Sequence, residues 1–265
     1  MRDLQIHALY SGSTGNAFLI RSDEGAILID AGKNAKRLCA AIAETGASID
    51  EVKGIFLTHE HSDHIGALAV LLKKHPIPVH VWERSASALR NLPSVAPCLQ
   101  LHPPIFSEEI CGMRVTSFPT PHDSEGSVGY RVEIPIAGRT VTVGYATDIG
   151  HVSETVETAL RGCDAVILES NHDPEMLHAG PYPPSLKQRI ASRYGHLSNY
   201  DSAALAARLC ESGTKSLMLA HLSQENNTPD LALSVCREAL RDRGDIALCV
   251  ARPDGVTALC MEAIL

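Results

Sequence analysis

Apolar residues fall in short runs broken by Gly, Ser, Asn and Pro. Three runs open the chain: LQIHALY (4–10), NAFLIRS (16–22) and GAILIDAG (25–32), each predicting a strand. Apolar positions near 38, 42 and 43, ending at Gly46, predict a helix. GIFLTH reads as a buried strand, IGALAVLLKKH (65–75) as a helix closed by Pro76 and Pro78, and VHVW as a further strand. Strands are predicted again at 113–118, 127–134 and 139–148, then helix SETVETAL (153–160) and strand DAVILES (164–170). Residues 183–212 carry a helical pattern interrupted near Gly195. Strand KSLMLAH (215–221), helix TPDLALSVCREALRD (228–242) and two last strands complete the chain. Strands occur in meanders and in β-then-helix units, with no linker, repeat or low-complexity tract between them. The pattern predicts one α/β domain over residues 1–265, with mixed sheets covered by helices on their outer faces.

Polar residues recur where these runs stop. Asp30 ends AILID, LTHEHSDHIG (57–66) follows IFLT, Asp148 ends VTVGYATD, Glu169 ends AVILE and His221 ends SLMLAH. His122 lies in the Pro-bracketed turn PTPHDS. Sheet proteins gather active sites at strand ends, because the rigid sheet positions the polar loops. Clustered imidazoles and a carboxylate are costly to desolvate without partners, so His59, His61, Asp63 and His64 point to metal binding. His59 and His61 are close enough to share one metal, while Asp63 and His64, at a helix start, can face a second. Imidazoles with carboxylates suit zinc, and also manganese or iron.

Bulk numbers narrow the partners. The 265 residues are 45% apolar and 20% charged, enough to bury a core without disulfides. The eight cysteines are spread singly with no C-x-x-C pair, which favours reduced and mostly buried thiols. No apolar run approaches the roughly 20 residues that span a bilayer. The first residues lack an apolar secretion segment, so a cytoplasmic location without membrane contact is expected. Net charge is −8, which argues against a histone-like or repressor-like binder and leaves open an enzyme that meets nucleic acid at its active site.

THEHSDH, with Asp30 before it and His122, Asp148 and His221 after it, resembles the metallo-β-lactamase fold superfamily across essentially the whole chain. The resemblance implies a four-layer αββα sandwich with a binuclear site at one edge. It implies one metal on His59, His61 and His122 and a second on Asp63, His64 and His221, with Asp148 bridging and Asp30 orienting the ligands. Two such dications lower the pKa of a shared water toward neutrality and polarise an ester oxygen, with Asp63 orienting the nucleophile.

The chain departs from two-zinc β-lactamases at His64 and Asp148. The interval from Asp148 to His221 is too short for the inserted cap domain of the RNA-processing branch. YSGSTGNAFLI (10–20), LESNHD (168–173), GHLSN (195–199) and AHLSQENNTP (220–229) resemble the YycJ/WalJ branch, compact bacterial metallohydrolases assigned as 5′-to-3′ DNA exonucleases. That resemblance implies a DNA substrate. The remaining readings are a small-molecule metallohydrolase acting on a lactone, thioester or cyclic phosphodiester, and a ribonuclease. A purely structural zinc needs four closed ligands, whereas seven suitable ones occur here. No obligate protein partner is evident, and oligomeric state is not fixed by the sequence.

Substrate contacts are expected from several segments. Ser11, Ser13 and Asn16 in SGSTGN either cradle an anion or make a tight hairpin turn. His196, at the predicted helix break, either acts on the scissile phosphate or caps the turn. Lys187, Arg189 and Arg193 form a positive segment, the two arginines spaced i,i+4 as on one helix face, and serve either a DNA backbone or solvent. Lys33, Lys36 and Arg37 form a second such patch. Asn171, His172 and Asn199 are placed to line the cleft. His7, His75, His80, His102, His151 and His178 lack metal spacing and read as ordinary surface or packed residues.

Overall fold

Ala26–Ile29 and Ala165–Leu168 are apolar at every position, the pattern of strands covered on both faces, and both are fully buried. The computed structural model describes residues 4–136, 138–241 and 243–261. The chain runs through β1 (Gln5–Tyr10), β2 (Ala17–Ser22), β3 (Gly25–Ile29), α1 (Ala35–Glu44) and β4 (Val52–Phe56). Two short helical turns follow, α2 (Ser62–Ile65) and α3 (Leu68–Leu71), then β5 (Val79–Trp82), β6 (Leu99–His102) and β7 (Ser107–Ile110). Next come β8 (Met113–Pro119), β9 (Val128–Ile136), β10 (Arg139–Ala146), α4 (Glu154–Leu160), β11 (Ala165–Glu169) and α5 (Pro174–Ala179). The last part is α6 (Pro184–Ile190), α7 (Asn199–Glu211), β12 (Ser216–Ala220), α8 (Pro229–Ala239), β13 (Ala247–Val250) and β14 (Thr257–Ala258).

Two seven-stranded sheets result, in the orders β14-β1-β2-β3-β4-β5-β6 and β13-β12-β11-β10-β9-β8-β7. Each is mixed. β3 to β6 are parallel in the first sheet and β10 to β13 in the second, and antiparallel pairs complete both. Alternate residues of both sheets meet in a central core that includes Phe18, Ile29, Phe56, Tyr130, Tyr145 and Ile167. The outer face of the first sheet packs on α1 and α3 through Leu28, Ile55, Leu38 and Leu68. The outer face of the second packs on α4, α7 and α8 through Leu168, Leu217, Leu160, Leu205 and Cys236. The order is helix, sheet, sheet, helix, as the motifs implied.

Two local expectations fail for tertiary reasons, and two strands were missed. The helix expected over 65–75 starts at Ser62, breaks at Gly66 and Ala67 and stops at Leu71. The loop after β3 takes its hydrogen bonds: Ala31 N–H donates to the His64 carbonyl at 2.7 Å and Ala67 N–H to the Ala31 carbonyl at 2.8 Å. Arg189 and Arg193 do not share a helix face, because α6 ends at Ile190 and the chain doubles back, His196 N–H donating to the Ile190 carbonyl. Gly195 permits that fold-back, since a Cβ there would lie 2.1 Å from the Ile190 carbonyl oxygen. The edge strands β6 and β7, mostly half-exposed, carry no continuous apolar run and escaped the sequence pattern.

All eight cysteines are free thiols, four of them buried, and burial pushes Cys236 up to about 12. No helix among the described residues is long and apolar enough to cross a membrane.

Candidate metal centre

The residues flagged at strand ends converge on one edge where the two sheets meet. Asp30 follows β3, Thr58 to His64 follow β4, His122 follows β8, Asp148 follows β10, Glu169 ends β11 and His221 follows β12. Asp30, Asp148 and His221 hold left-handed backbone, with φ of 61°, 56° and 56°. Such values are uncommon outside glycine, though Asp and His tolerate them better than most, and they cluster where function over-determines the chain. Here each turns a side chain off its strand into the same space. Gly32 lets three segments close beneath it, because a Cβ there would sit 2.0 Å from the Asp63 carbonyl oxygen.

Ligand atoms within 4.8 Å of one another form overlapping groups: His59, His61 and His122; Asp63, His64 and His221; and His59, His64 and Asp148. A further group joins Asp148, Glu169, His196 and His221. Asp148 lies between the first two groups, with Oδ2 at 3.4 Å from His64 Nε2 and Oδ1 at 3.7 Å from His122 Nε2 and 3.5 Å from His221 Nδ1.

The hydrogen bonds around the rings fix what each nitrogen offers. Asp30 is fully buried and accepts from Thr58 N–H (2.8 Å), Thr58 Oγ1–H and His64 Nδ1–H (2.8 Å). With the Thr58 proton given to Asp30, His59 Nδ1–H donates to Thr58 Oγ1 at 2.9 Å. His122 Nδ1–H donates to the Gly195 carbonyl at 3.1 Å, and His221 Nδ1–H to Glu169 at 2.9 Å. All four rings therefore turn Nε2 into the cluster, the usual way a protein orients a ligating histidine. The Nε2 atoms of His59, His122 and His221, and Oδ2 of Asp148, are buried with no hydrogen-bond partner. Buried polar atoms are normally satisfied, so four orphans aimed at one another fit a site that cations complete.

Electrostatics agree. Burial, reinforced by His64, His122 and His61, holds His59 well below the usual histidine pKa. Burial would also depress His64 and His221, but carboxylates outweigh it. Asp30 and Asp148 hold His64 well above its ordinary value, and Asp148, Asp63 and Glu169 carry His221 to about 10. Asp63, Asp148 and Glu169 stay below the ordinary carboxylate range despite burial, because His64 and His221 face the two aspartates and His196 and His221 face Glu169.

Glu169 carries more than its place at a strand end announced. Its Oε1 accepts from His196 Nδ1–H (2.8 Å) and His221 Nδ1–H (2.9 Å), and its Oε2 from the amides of Ile149 and Leu197. Thr58, next to Asp30, gave no sequence signal beyond its neighbours. His196 itself remains 19% exposed at the rim, its backbone closing the Gly195 turn.

Other expected contacts are taken up by the scaffold. Ser11 is buried and its Oγ accepts from His221 N–H at 2.7 Å, so it holds the ligand's backbone instead of facing substrate. Asn16 is buried too. Its backbone N–H donates to the Asp63 carbonyl and its Nδ2 reaches Gly12 O, Asp63 Oδ2 and His64 Nε2, leaving its amides no anion to cradle. Asn171 donates to the His221 carbonyl, and Asn199 is spent on Ser170 and Asn227. His172 is buried beside Ser198, its carbonyl accepting from Asn199 N–H. Lys187 points to the His178 carbonyl and Arg193 to His151. Ser13 stays exposed at the cleft and Arg189 pairs with Asp123, next to His122. His80 and His102, read as ordinary surface or packed residues, hydrogen-bond each other at 3.0 Å in a stacked column between Phe56 and Phe106.

An αββα sandwich with this cluster at its sheet edge defines a metal-dependent hydrolase class. Residues 26–222 match the beta-lactamase superfamily domain. The chain is 37% identical over 245 residues to exodeoxyribonuclease YycJ of Bacillus anthracis, covering 91% of this chain and 90% of that one. It is 33% identical to exodeoxyribonuclease WalJ of Streptococcus pneumoniae, covering 84% and 83%. Zinc-bound PqqB of Methylobacterium extorquens shares the fold, with a TM-score of 0.72 at 16% identity over 96% and 99% of the two chains. The chain belongs to the beta-lactamase superfamily and, within it, to the family of the YycJ and WalJ proteins.

Proposed function

We propose that this chain, acting as one domain over residues 1–265, is a binuclear metal-dependent phosphodiesterase that degrades DNA from the 5′ end in the cytoplasm of a bacterium. The observation that carries the reading is the convergence of four orphaned buried ligand atoms, on His59, His122, Asp148 and His221, at one sheet edge. The names of the curated relatives supply the substrate class. His59, His61 and His122 would hold one ion and Asp63, His64 and His221 the other, with Asp148 between them. Their nitrogen and oxygen donors suit zinc or manganese. Two such ions supply Lewis-acid polarisation of a phosphodiester oxygen and of water near neutral pH. Asp30 and Glu169 fix the rings that bind them. Asp63, half-buried at the rim, is placed to orient the attacking water. His196, with Nδ1 tied to Glu169, would present Nε2 to the leaving oxygen and hold a proton there.

The test is digestion of 5′-labelled and 3′-labelled DNA and RNA oligonucleotides by the purified protein loaded with zinc or manganese. Shortening of DNA from the 5′ end is expected. Turnover of a thioester or lactone with no digestion of any nucleic acid would replace the reading by a small-molecule hydrolase.

A further inference from the structure

Two hollows flank the metal ligands, and Ser13 borders both. On the His196 side lies a cavity of about 210 Å³ walled by Tyr182, Leu186 and Ile190. On the Asp63 side a wider groove of about 660 Å³ runs past Lys33 to Arg37 and Asp254. Pockets that enclose a drug-sized ligand span roughly 300–1,000 Å³, so the smaller cavity is sized for one nucleoside-sized group. Its apolar wall suits a base, since π-faces stack on aromatic side chains without sequence preference.

Lys33 differs from an ordinary surface lysine. Its backbone is left-handed (φ 60°), and its side chain is only 7% exposed, its stem lying against Gly15. Nζ donates to Thr14 Oγ1 at 2.6 Å and lies 5.7 Å from the Tyr10 ring centroid. The same Asp254 oxygen pairs with Lys33 at 3.1 Å and with Arg37 at 3.5 Å. Asp254 is more than half exposed, so an incoming phosphate can displace it from two cations already held in place.

Resting on the phosphodiesterase reading above, we propose that the cavity beside His196 receives a single terminal nucleotide while Lys33 and Arg37 take phosphates of the strand that follows, in place of Asp254. The scissile bond then lies over the metal ligands between the two hollows. A water oxygen bonds to phosphorus as the bond to the leaving oxygen breaks, and that oxygen takes up a proton. Because the cavity on one side holds a single nucleotide, the chain shortens one nucleotide at a time from an end.

Steady-state digestion of a labelled single-stranded oligonucleotide by the metal-loaded full-length protein tests both halves, with a covalently closed circular strand as the endless substrate. The wild type is expected to release mononucleotides and to leave the circle intact. Leu186→Trp, which fills the cavity, should slow release of the terminal nucleotide at least tenfold. Lys33→Asn, whose new residue tolerates left-handed backbone, and the exposed Arg37→Gln should each raise KM several-fold with kcat held. Each should also lower the slope of log KM against log salt by about one. Asp254→Asn should lower KM. Cutting of the circle, or wild-type digestion by Leu186→Trp, would overturn the single-nucleotide cavity, and unchanged KM and salt slope in both cation variants would overturn the groove. Those results leave the phosphodiesterase reading standing. Hydrolysis of bis(p-nitrophenyl) phosphate with no attack on any oligonucleotide would overturn the nucleic-acid placement, and hydrolysis of neither would remove the reading itself.

Discussion

Glu169 Oε1 lies 2.8 Å from His196 Nδ1, which ties the histidine at the cleft rim to a fully buried carboxylate at the end of β11. The same oxygen holds His221 at 2.9 Å, so one acid sets the orientation of a metal-facing ring and of the rim ring together.

Glu169→Gln should therefore lower activity without unfolding the protein. Partners of ligating histidines typically contribute 10–100-fold to activity or metal affinity, and a loss of about that size is expected in kcat/KM, with far-UV circular dichroism unchanged. A variant with wild-type kinetics would mean that His196 and His221 need no such anchor.

Asp148 is the group that would join the two halves of the site. Asp148→Ala should reduce bound metal below two ions per chain by elemental analysis and abolish nuclease activity while the fold survives. Two tightly held ions and full activity in this variant would sink the ligand assignment.

Metal loading should be coupled to proton release. Without cations, Asp30 and Asp148 hold His64 well above the ordinary histidine range, and His221, near 10, is protonated at pH 7. A cation that takes the His221 Nε2 must therefore displace a proton, and affinity should rise with pH. Titration calorimetry at pH 7 in buffers of different ionisation enthalpy should record that release. Heats independent of the buffer would contradict it.

His80 predicts a separate acid sensitivity. Burial, with His102 beside it, lowers its pKa to about 4, against about 6.5 in the unfolded chain. The unfolded state thus binds a proton that the folded state excludes, and the associated stability, present above pH 6.5, is lost as the pH falls toward 4. The loss should reach roughly 2–3 kcal/mol. His80→Phe would continue the stacked column and should flatten this part of the profile in denaturant melts at pH 7 and pH 5. An equally steep profile in that variant would place the sensitivity elsewhere.

The legible parts of this protein are local. The run from His59 to His64 announces a metal site because its ligands share one turn, and strand-end polar residues mark the sheet edge because apolar runs stop there. Asp30, His122, Asp148 and His221 were found at such ends; the structure gathers the last three into the groups around His59 and His64, and sets Asp30 behind them on His64 Nδ1. Asn16 and Asn199 looked like substrate contacts, but their hydrogen bonds are consumed by Gly12, Asp63, Ser170 and Asn227, partners spread along the chain. The Arg189 and Arg193 spacing suggested one helix face until the Gly195 fold-back ended α6.

Sequence alone thus determined the strands that are buried on both faces, and the histidines and carboxylates at the strand ends and their order. Burial pattern and side-chain chemistry are properties of short windows, so they can be read there. Only the tertiary structure decided which nitrogen each ring presents, that Glu169 serves two histidines, and that a small cavity borders one flank of the cleft while the other carries Lys33. Those depend on atoms brought within hydrogen-bond distance from segments far apart in sequence, which no local pattern encodes.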